Sequence, residues 1–284
     1  MPYIDAEIDR MDAGGEPPGY LRHFHWGFFD DPATPDDDPA RYYEAAEAMT
    51  EQVVTAGQVA DGRRVLDVGC GFGGTLDHIR ARNRGCRLAG ANIDERQLQW
   101  ARRLLGRQAA GKETNGGSGG GPGAEPISFL AADGCTLPVA TGTIDHLLAV
   151  ECIFHFPSRK KFFREAARVL RPGGTLALSD FLLGSGAVGT VMANVESFGL
   201  GDWYGRSAML LTSTAYERLG RSVGLEQVLD DDVTARTMPT YPAMRRLYRE
   251  QGSTEGVGTV DGLEQLAQAG GWEYHVLAFR KPGE

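Results

Sequence analysis

The 284-residue sequence lacks the features that mark membrane, secreted and nucleic-acid-binding proteins. No apolar run approaches the roughly 18–20 residues of a membrane-spanning helix. The acidic first residues, MPYIDAEIDRMD, contain no apolar stretch typical of a secretory signal. The 29 lysines and arginines are outnumbered by 38 aspartates and glutamates, which gives a net charge of −9, whereas a phosphate-backbone partner requires a surplus of basic residues. We therefore expect neither a membrane span nor a nucleic-acid partner.

Cysteine is also scarce. The four cysteines, Cys70, Cys86, Cys135 and Cys152, follow no zinc-binding spacing, and Cys70 and Cys152 lie in apolar, strand-like runs. This usage favours reduced cysteines in a cytoplasmic protein and predicts no metal site. The length of the chain allows one large α/β domain with a full hydrophobic core.

What the sequence does contain is a regular alternation of short apolar segments and helical periodicity from Arg64 onward. Segments with the pattern of strands occupy residues 64–68, 87–93, 127–132, 144–150, 175–181, 225–233 and 272–279. Helical periodicity fills most of the intervals between them. Strands that alternate with helices predict an α/β fold, with a Rossmann-like, mostly parallel sheet of seven strands and helices on both faces.

The chain is predicted to have two parts. Residues 1–60 form an N-terminal cap segment, loop-like over residues 1–38 and helical after that, and residues 61–284 form the main domain. Within the main domain, residues 111–126 contain seven glycines and are predicted to be a flexible surface insertion. Residues 183–211 are predicted to be a segment on the substrate side.

The most informative segment is VLDVGCGFGG, residues 65–74. A buried strand runs into a loop with three glycines, where glycine lets the backbone turn tightly and lets a ligand approach the main chain. Similar loops hold the pyrophosphate of nicotinamide dinucleotides, but that fingerprint is GxGxxG, whereas the loop here reads GxGxG. Asp67, just before the loop, would repel a pyrophosphate and would suit an ammonium group.

This segment resembles motif I of the class I S-adenosylmethionine-dependent methyltransferases, and the resemblance covers about residues 63–182. GANIDERQL from Gly90 is similar to the second-strand motif of the family, and LAADGCTLP from Leu130 is similar to its acidic third-strand motif. LRPGGTLALSD from Leu170 is similar to the motif before and within the fifth strand. The resemblance is to the small-molecule branch, which includes natural-product, quinone and sugar O-methyltransferases. It implies S-adenosyl-L-methionine as cofactor.

The resemblance also implies roles for residues in the cofactor site. Those around the amino acid portion of the cofactor are Asp67, Gly69, Gly71 and Gly73. Asn92 stands where the family normally presents an acid to the ribose hydroxyls, so we expect an uncharged and weaker contact. Asp133 would accept from the adenine amino group, with the Gly134 amide beside it. The alternatives are a turn residue for Asn92 and a turn or helix-cap acid for Asp133.

Candidate catalytic residues follow the fourth strand, in AVECIFHFP from Ala149. The carboxyl ends of parallel strands border the ligand crevice, so we expect Glu151 and His155 near the transferred methyl group. In the resemblance, His155 falls on an active-site histidine and Asp180 on an acid near it. His155 would be the general base, oriented by Asp180, or else a packed core histidine. Glu151 would be a second candidate base or a residue of the cofactor shell.

Two aromatic segments flank this core in the sequence. Trp26 and Phe28 lie in HFHWGFF, and Trp203 and Tyr204 lie in the predicted substrate-side segment. Both segments are expected to close over the substrate, because closure excludes water from the reaction. Ordinary packing of the N-terminal segment on the core is the alternative.

The sequence therefore predicts an enzyme that methylates a small molecule, with O-methylation of a secondary metabolite as the main interpretation. C-methylation of an isoprenoid, quinone or phenol-like acceptor is the alternative within the class. Two alternatives come from other classes: a non-catalytic or cyclase-like S-adenosylmethionine-binding protein, and a nicotinamide-dependent oxidoreductase. No Tyr-x-x-x-Lys pair supports the oxidoreductase. A monomer and a homodimer are both compatible with the sequence.

Overall fold

The structure is a computed structural model that describes residues 2–15, 22–32, 39–109, 126–184 and 211–283. Its strands are β1 (Arg64–Val68), β2 (Arg87–Asn92), β3 (Ser128–Ala131), β4 (Ile144–Val150), β5 (Leu170–Leu183), β6 (Glu226–Asp232) and β7 (Trp272–Arg280). Its helices are α1 (Pro2–Asp12), α2 (Pro39–Ala56), α3 (Gly74–Arg82), α4 (Glu95–Ala109), α5 (Arg159–Val169), α6 (Ser213–Ser222), α7 (Thr234–Thr237), α8 (Thr240–Glu250) and α9 (Thr254–Gln268).

The described strands form one sheet in the order β3-β2-β1-β4-β5-β7-β6. β1 to β5 pair in parallel, and β7 lies antiparallel between β5 and β6. The predicted seven-stranded, mostly parallel sheet is confirmed. The order of strands reverses between β1 and β4, and in open α/β sheets ligands bind at the carboxyl ends of the strands at such a point.

Hydrophobic clusters cover both faces of the sheet. Successive strand residues point to opposite faces, so Val65 packs in one cluster with Val53 of α2, while Leu66 packs in the other with Phe163 of α5. Burial on both faces explains why these strands read as continuous apolar runs rather than as alternating ones. The helices therefore hold the central strands, and the loops that follow them, in fixed positions.

β5 is longer than predicted. The motif RPGG was expected to separate α5 from a strand beginning at residue 175, but β5 begins at Leu170, directly after α5. The register with β4 shifts between the pairs Ile144–Leu170 and His146–Thr175, so the extra residues of β5 bulge out of the ladder. The glycines of the motif allow this bulge, since Gly173 has a φ of 78°.

The prediction that residues 1–38 are loop-like is wrong for the first part of that segment. Pro2–Asp12 forms α1, which buries Ile8 and Met11 in a cluster with Phe72 and Trp100. The apolar residues of α1 recur at three- and four-residue spacing, but the acidic residues between them make the segment read as a polar loop. Tertiary packing of this narrow apolar stripe decides the outcome.

Two predicted segments lie largely outside the described residues. They are the glycine-rich insertion 111–126, apart from Pro126, and most of the substrate-side segment 183–211. In the part of the chain that the structure describes, no helix combines the length and the apolar character needed to cross a membrane.

Candidate active site

A cavity opens at the carboxyl ends of β1, β2 and β4, and we refer to it as the strand-end cavity. The predicted site residues that line it are Gly69, Gly71, Asn92, Asp133, Gly134, Glu151 and His155. These residues come from separate parts of the sequence, and the sheet brings them together because the carboxyl ends of parallel strands meet at one edge. The fold therefore places these seven predicted residues around a single space.

The glycine loop after β1 forms one wall of the strand-end cavity. Gly69 has a φ of 77°, in the left-handed region that favours glycine, and a Cβ there would lie 2.6 Å from the Cys152 side chain. A larger residue at this position therefore has no room. Gly73 is not among the residues that line the cavity. It has a φ of 87° and caps α3, and a Cβ there would lie 2.9 Å from Leu105.

A pair of buried side-chain amides lies at the end of β2. The Asp94 amide donates to the Asn92 Oδ1 at 3.1 Å, and the Asn92 Nδ2 donates to the Gln97 Oε1 at 3.2 Å. Within the described residues, the Gln97 Nε2 has no hydrogen-bond partner. Because an unpaired buried donor costs free energy, this corner of the cavity suits a ligand with hydroxyl oxygens. Asn92 thus serves in a turn and lines the cavity as well.

Ile93 is a cavity residue that the sequence analysis missed. Its side chain is 71% exposed and lines the strand-end cavity; its place directly after a strand end was the available signal. Asp133 lines the same cavity, while its Oδ1 accepts from the Cys135 amide at 2.8 Å. An apolar side chain and a carboxylate in one pocket suit an aromatic ring that carries an amino group.

Asp67 lies near the end of β1 and is 2% exposed. It is not among the residues that line the strand-end cavity. Burial raises the pKa of this carboxyl to about 7, because the protein interior disfavours the charged form. A cation bound nearby would favour the carboxylate, so the charge of Asp67 depends on what occupies the site.

Glu151 follows β4 and combines backbone strain with a half-buried side chain. Its φ of 44° is unusual for a residue with a side chain. Its Oε2 accepts from the Trp26 amide at 2.8 Å and from the Tyr274 hydroxyl at 2.5 Å. Burial raises the pKa of Glu151 to about 8, while these two hydrogen bonds act in the opposite direction. The carboxyl is held in place and has an affinity for a proton near neutral pH.

His155 ends a short 3₁₀ turn, Ile153–His155, that directly follows Cys152. The His155 amide donates to the Cys152 carbonyl at 3.0 Å, and its ring lies 4.3 Å from the ring of Phe154. The His155 side chain is half-buried and lines the strand-end cavity.

Asp180, which the sequence predicts to orient His155, is buried near the carboxyl end of β5 among other hydrogen-bond partners. Its Oδ2 accepts from the Arg159 Nη2 at 3.2 Å and from the Tyr216 hydroxyl, and its Oδ1 accepts from the Phe181 amide. These bonds tie β5 to α5 and α6, and the orientation of His155 by Asp180 stays a prediction. Burial raises the pKa of Asp180, and the neighbouring Arg159 guanidinium opposes that rise. Sequence position alone cannot show which of several polar partners a buried carboxylate meets.

A second cavity of about 550 Å³ lies between the sheet and the helices α1, α2, α8 and α9, and we call it the helix-lined cavity. Phe24 and Glu151 line both cavities, so the two spaces meet at these side chains. Trp26 also lines the helix-lined cavity. The helices α8 and α9, which the sequence analysis left without a role, form much of its wall.

The remaining predicted substrate residues do not line these cavities in the described structure. Phe28 packs against the core, and the Arg236 guanidinium lies 5.7 Å from the centre of its ring. Its contact with substrate stays a prediction. Trp203 and Tyr204 lie outside the described residues.

Comparison with known proteins adds three findings. A family model described as a methyltransferase domain matches residues 66–178. Methyltransferase GfsG of Streptomyces halstedii is 34% identical over 225 residues, which are 79% of this chain and 73% of that protein. The 27-O-demethylrifamycin SV methyltransferase of Amycolatopsis mediterranei is 30% identical over 239 residues, 84% of this chain and 77% of that protein.

A solved structure has the same fold. The geranyl diphosphate C-methyltransferase from Streptomyces coelicolor A3(2) matches with a TM-score of 0.74 and 17% identity, covering 99% of this chain and 98% of that chain. At this level of identity the likeness concerns the arrangement of helices and strands alone.

Proposed function

This chain belongs to the class I S-adenosylmethionine-dependent methyltransferases that act on small molecules, and on that premise we propose that it methylates a hydroxyl oxygen of a secondary metabolite. The observation that carries the proposal is the position of Glu151, whose side chain lines both cavities. An oxygen acceptor is also supported by a relative whose name gives 27-O-demethylrifamycin SV as the molecule it methylates.

The side chains that line the strand-end cavity, rather than its volume of about 130 Å³, support its assignment to the cofactor. Asn92 and Gln97 would contact the ribose hydroxyls, and the unpaired Gln97 Nε2 is suited to donate to one of them. Ile93 and Asp133 would contact the adenine. The carboxylate of Asp67 would attract the ammonium group of the cofactor. When bound, S-adenosylmethionine supplies an electrophilic methyl group on a positively charged sulfur.

Glu151 is better placed than His155 to receive the proton of an acceptor hydroxyl. His155 lines the strand-end cavity, whereas Glu151 also faces the helix-lined cavity where an acceptor has room. The Trp26 amide and the Tyr274 hydroxyl hold the Glu151 Oε2. A carboxyl whose pKa is about 8 is a stronger base than an ordinary glutamate and is matched to near-neutral pH. As the hydroxyl oxygen gains the methyl group, its proton would pass to this carboxylate.

The reaction is tested by transfer of a labelled methyl group to a panel of hydroxyl-bearing secondary metabolites, quinones and prenyl diphosphates. The site of methylation is then located by mass spectrometry and NMR. A product with the label on oxygen supports the proposal. A product with the label on carbon would contradict it. Cofactor binding without transfer to any panel member would instead favour the cyclase-like alternative.

The base is tested by Glu151→Gln, which keeps the shape of the side chain and removes its basicity. We expect turnover to fall about 10²- to 10⁴-fold, the usual contribution of a general base. Affinity for S-adenosylhomocysteine, measured by calorimetry, should change little. His155→Gln is the matched variant, and a larger loss of turnover there would assign the base role to His155. Unchanged turnover in both variants would remove general base catalysis from the proposal.

A further inference from the structure

We infer that the acceptor is a bulky, uncharged and largely apolar alcohol, bound in the helix-lined cavity with one hydroxyl at Glu151, and not a diphosphate or an amino acid. This inference rests on the proposed function, which leaves the class of acceptor open. It follows from the size of the cavity, from the chemistry of its walls and from the pairing of its charges.

The size and walls of the cavity favour a large apolar ligand. Its volume of about 550 Å³ lies within the range of roughly 300–1,000 Å³ typical of sites for drug-sized molecules. A compound as small as sarcosine would leave most of it empty. Large apolar and aromatic side chains from several elements form the walls. They are Phe24, Trp26, Tyr42, Phe154, Met244, Leu247, Tyr248, Val260 and Leu263.

Two of the walls are held together independently of any ligand. The Arg245 Nε contacts the Asp261 Oδ1 at 2.6 Å, and the Arg245 guanidinium also pairs with Glu264. These ion pairs join α8 to α9 outside the cavity. The apolar faces of the two helices are therefore pre-formed, as is typical of small-molecule sites.

The charges that the described residues place around the cavity do not fit an anionic acceptor. Among the described lining residues, Arg10 is the sole lysine or arginine, and its Nε lies 3.1 Å from the Glu7 Oε2. His25 is buried and its pKa is lowered to about 3, so its ring is neutral. A diphosphate needs several charge-assisted donors, and the carboxylate of an amino acid needs at least one cation that is not already paired.

Two places in the cavity offer charged side chains to an acceptor. Glu151 stands where the cavity meets the strand-end cavity. The pair Arg10–Glu7 belongs to α1, and the Gln251 Nε2 donates to the Glu7 Oε1 at 3.4 Å. An acceptor would therefore place its reacting hydroxyl at Glu151 and lay its apolar body along α8 and α9. A second polar substituent would reach the group formed by Glu7, Arg10 and Gln251.

The inference is tested by binding, without turnover, in the presence of S-adenosylhomocysteine. Three probes are compared by calorimetry: 6-deoxyerythronolide B, an uncharged macrocyclic alcohol, geranyl diphosphate and sarcosine. We expect the macrocycle to bind at least tenfold more tightly than either charged probe. A macrocycle that does not bind, or tighter binding of geranyl diphosphate or sarcosine, would overturn the inference.

A substitution pair locates the ligand. Met244→Lys puts a cation on the half-buried α8 wall, and we expect it to weaken binding of the macrocycle tenfold or more and to strengthen binding of geranyl diphosphate. Gln265→Lys adds the same charge to an exposed position of α9 outside the cavity and should change neither. Leu247→Ala introduces no charge and only shortens a half-buried wall residue, so a loss of affinity in this variant is less readily mistaken for misfolding. It should weaken binding of the macrocycle alone.

The two proposals fail separately. Macrocycle affinity that is unchanged in both Met244→Lys and Leu247→Ala would overturn the inference about the acceptor. Methyl transfer to an oxygen of a charged acceptor would do the same and leave the proposed function standing. Binding of the macrocycle at this cavity without any methyl transfer would uphold the acceptor class as a ligand while contradicting the proposed reaction.

Discussion

At the scale of single residues, Glu151 shows how a strained position is maintained. A left-handed backbone in a residue with a side chain costs on the order of 1–3 kcal/mol. The Glu151 amide donates to both the carbonyl and the hydroxyl of Ser179, each at 3.1 Å. Its carboxyl accepts from Trp26 and Tyr274. These bonds hold the turn after β4, and the turn directs the carboxyl toward the place where the two cavities meet.

The Tyr274 hydroxyl should set the pH at which Glu151 becomes a base. Turnover should rise with pH as Glu151 loses its proton. Tyr274→Phe removes a hydrogen bond that favours the carboxylate, so the midpoint of the pH–kcat profile should move up by about one unit. Tyr241→Phe is the control, because the Tyr241 ring packs 4.4 Å from the Trp26 ring without bonding to Glu151. A midpoint that stays in place or moves down in Tyr274→Phe would contradict this role.

Asp67 should make cofactor binding depend on pH. Its pKa of about 7 in the folded protein means that a bound ammonium group must displace a proton at lower pH. Affinity for S-adenosylhomocysteine should therefore rise by up to about tenfold per unit as pH increases from 5.5 to 7, and then level off. The Asp67→Asn variant should bind S-adenosylhomocysteine more weakly, with an affinity that does not change over this pH range. Asp94→Asn, which alters a carboxyl of lowered pKa outside the cavity, should keep the wild-type slope.

At the scale of elements, the loop between β1 and α3 depends on both backbone freedom and space. Gly69 and Gly142 have similar left-handed φ values, 77° and 69°. A Cβ at Gly69 would clash with Cys152, whereas a Cβ at Gly142 would have nothing within 4 Å. Alanine at either position has a similar conformational cost, so comparing the two variants separates the effect of backbone conformation from the effect of the clash.

Gly142→Ala should lower the free energy of unfolding by roughly 1–2 kcal/mol, the cost of a left-handed residue with a side chain. Gly69→Ala should lower it further and should also weaken cofactor binding, since the clash displaces the loop that lines the cavity. Urea unfolding and calorimetry measure the two effects. Equal losses of stability, with unchanged cofactor affinity in Gly69→Ala, would show that the close approach to Cys152 is unimportant.

At the scale of the whole molecule, α1 connects the two cavities. Ile4 of α1 lines the strand-end cavity, and Glu7 and Arg10 line the helix-lined cavity. The helix is held by buried Ile8, which packs with Trp100 of α4. One helix therefore closes both the cofactor side and the acceptor side of the proposed active site.

Loosening α1 should weaken both kinds of binding together. We expect Ile8→Ser to reduce affinity for S-adenosylhomocysteine and for the acceptor by about tenfold, as loss of roughly 1.4 kcal/mol of binding free energy would do. Hydrogen exchange should show faster exchange of the α1 amides. Asp9→Ser changes the exposed neighbour of Ile8 and should alter neither affinity. Loss of one affinity without the other would show that α1 does not connect the two sites.

Sequence alone was sufficient for the sheet and for the glycine loop after β1. The strands β1, β2 and β4 are largely apolar runs, which predict buried strands. The segment from Asp67 to Gly73 contains the glycines that its turn requires. Both features can therefore be predicted from neighbouring residues. α1 was missed because its apolar stripe is narrow and becomes helical through packing against Trp100. Ile93 was missed because its exposure depends on the walls around it.

Tertiary structure alone settled which distant side chains meet. Asp180 is paired with Arg159 and Tyr216, and Glu151 rather than His155 lies where the two cavities join. The helices α8 and α9 form walls of a cavity that no local sequence pattern predicted. The physical reason is that hydrogen bonds, burial and cavity shape depend on contacts between segments far apart in the chain. Periodicity and glycine spacing, in contrast, act between near neighbours.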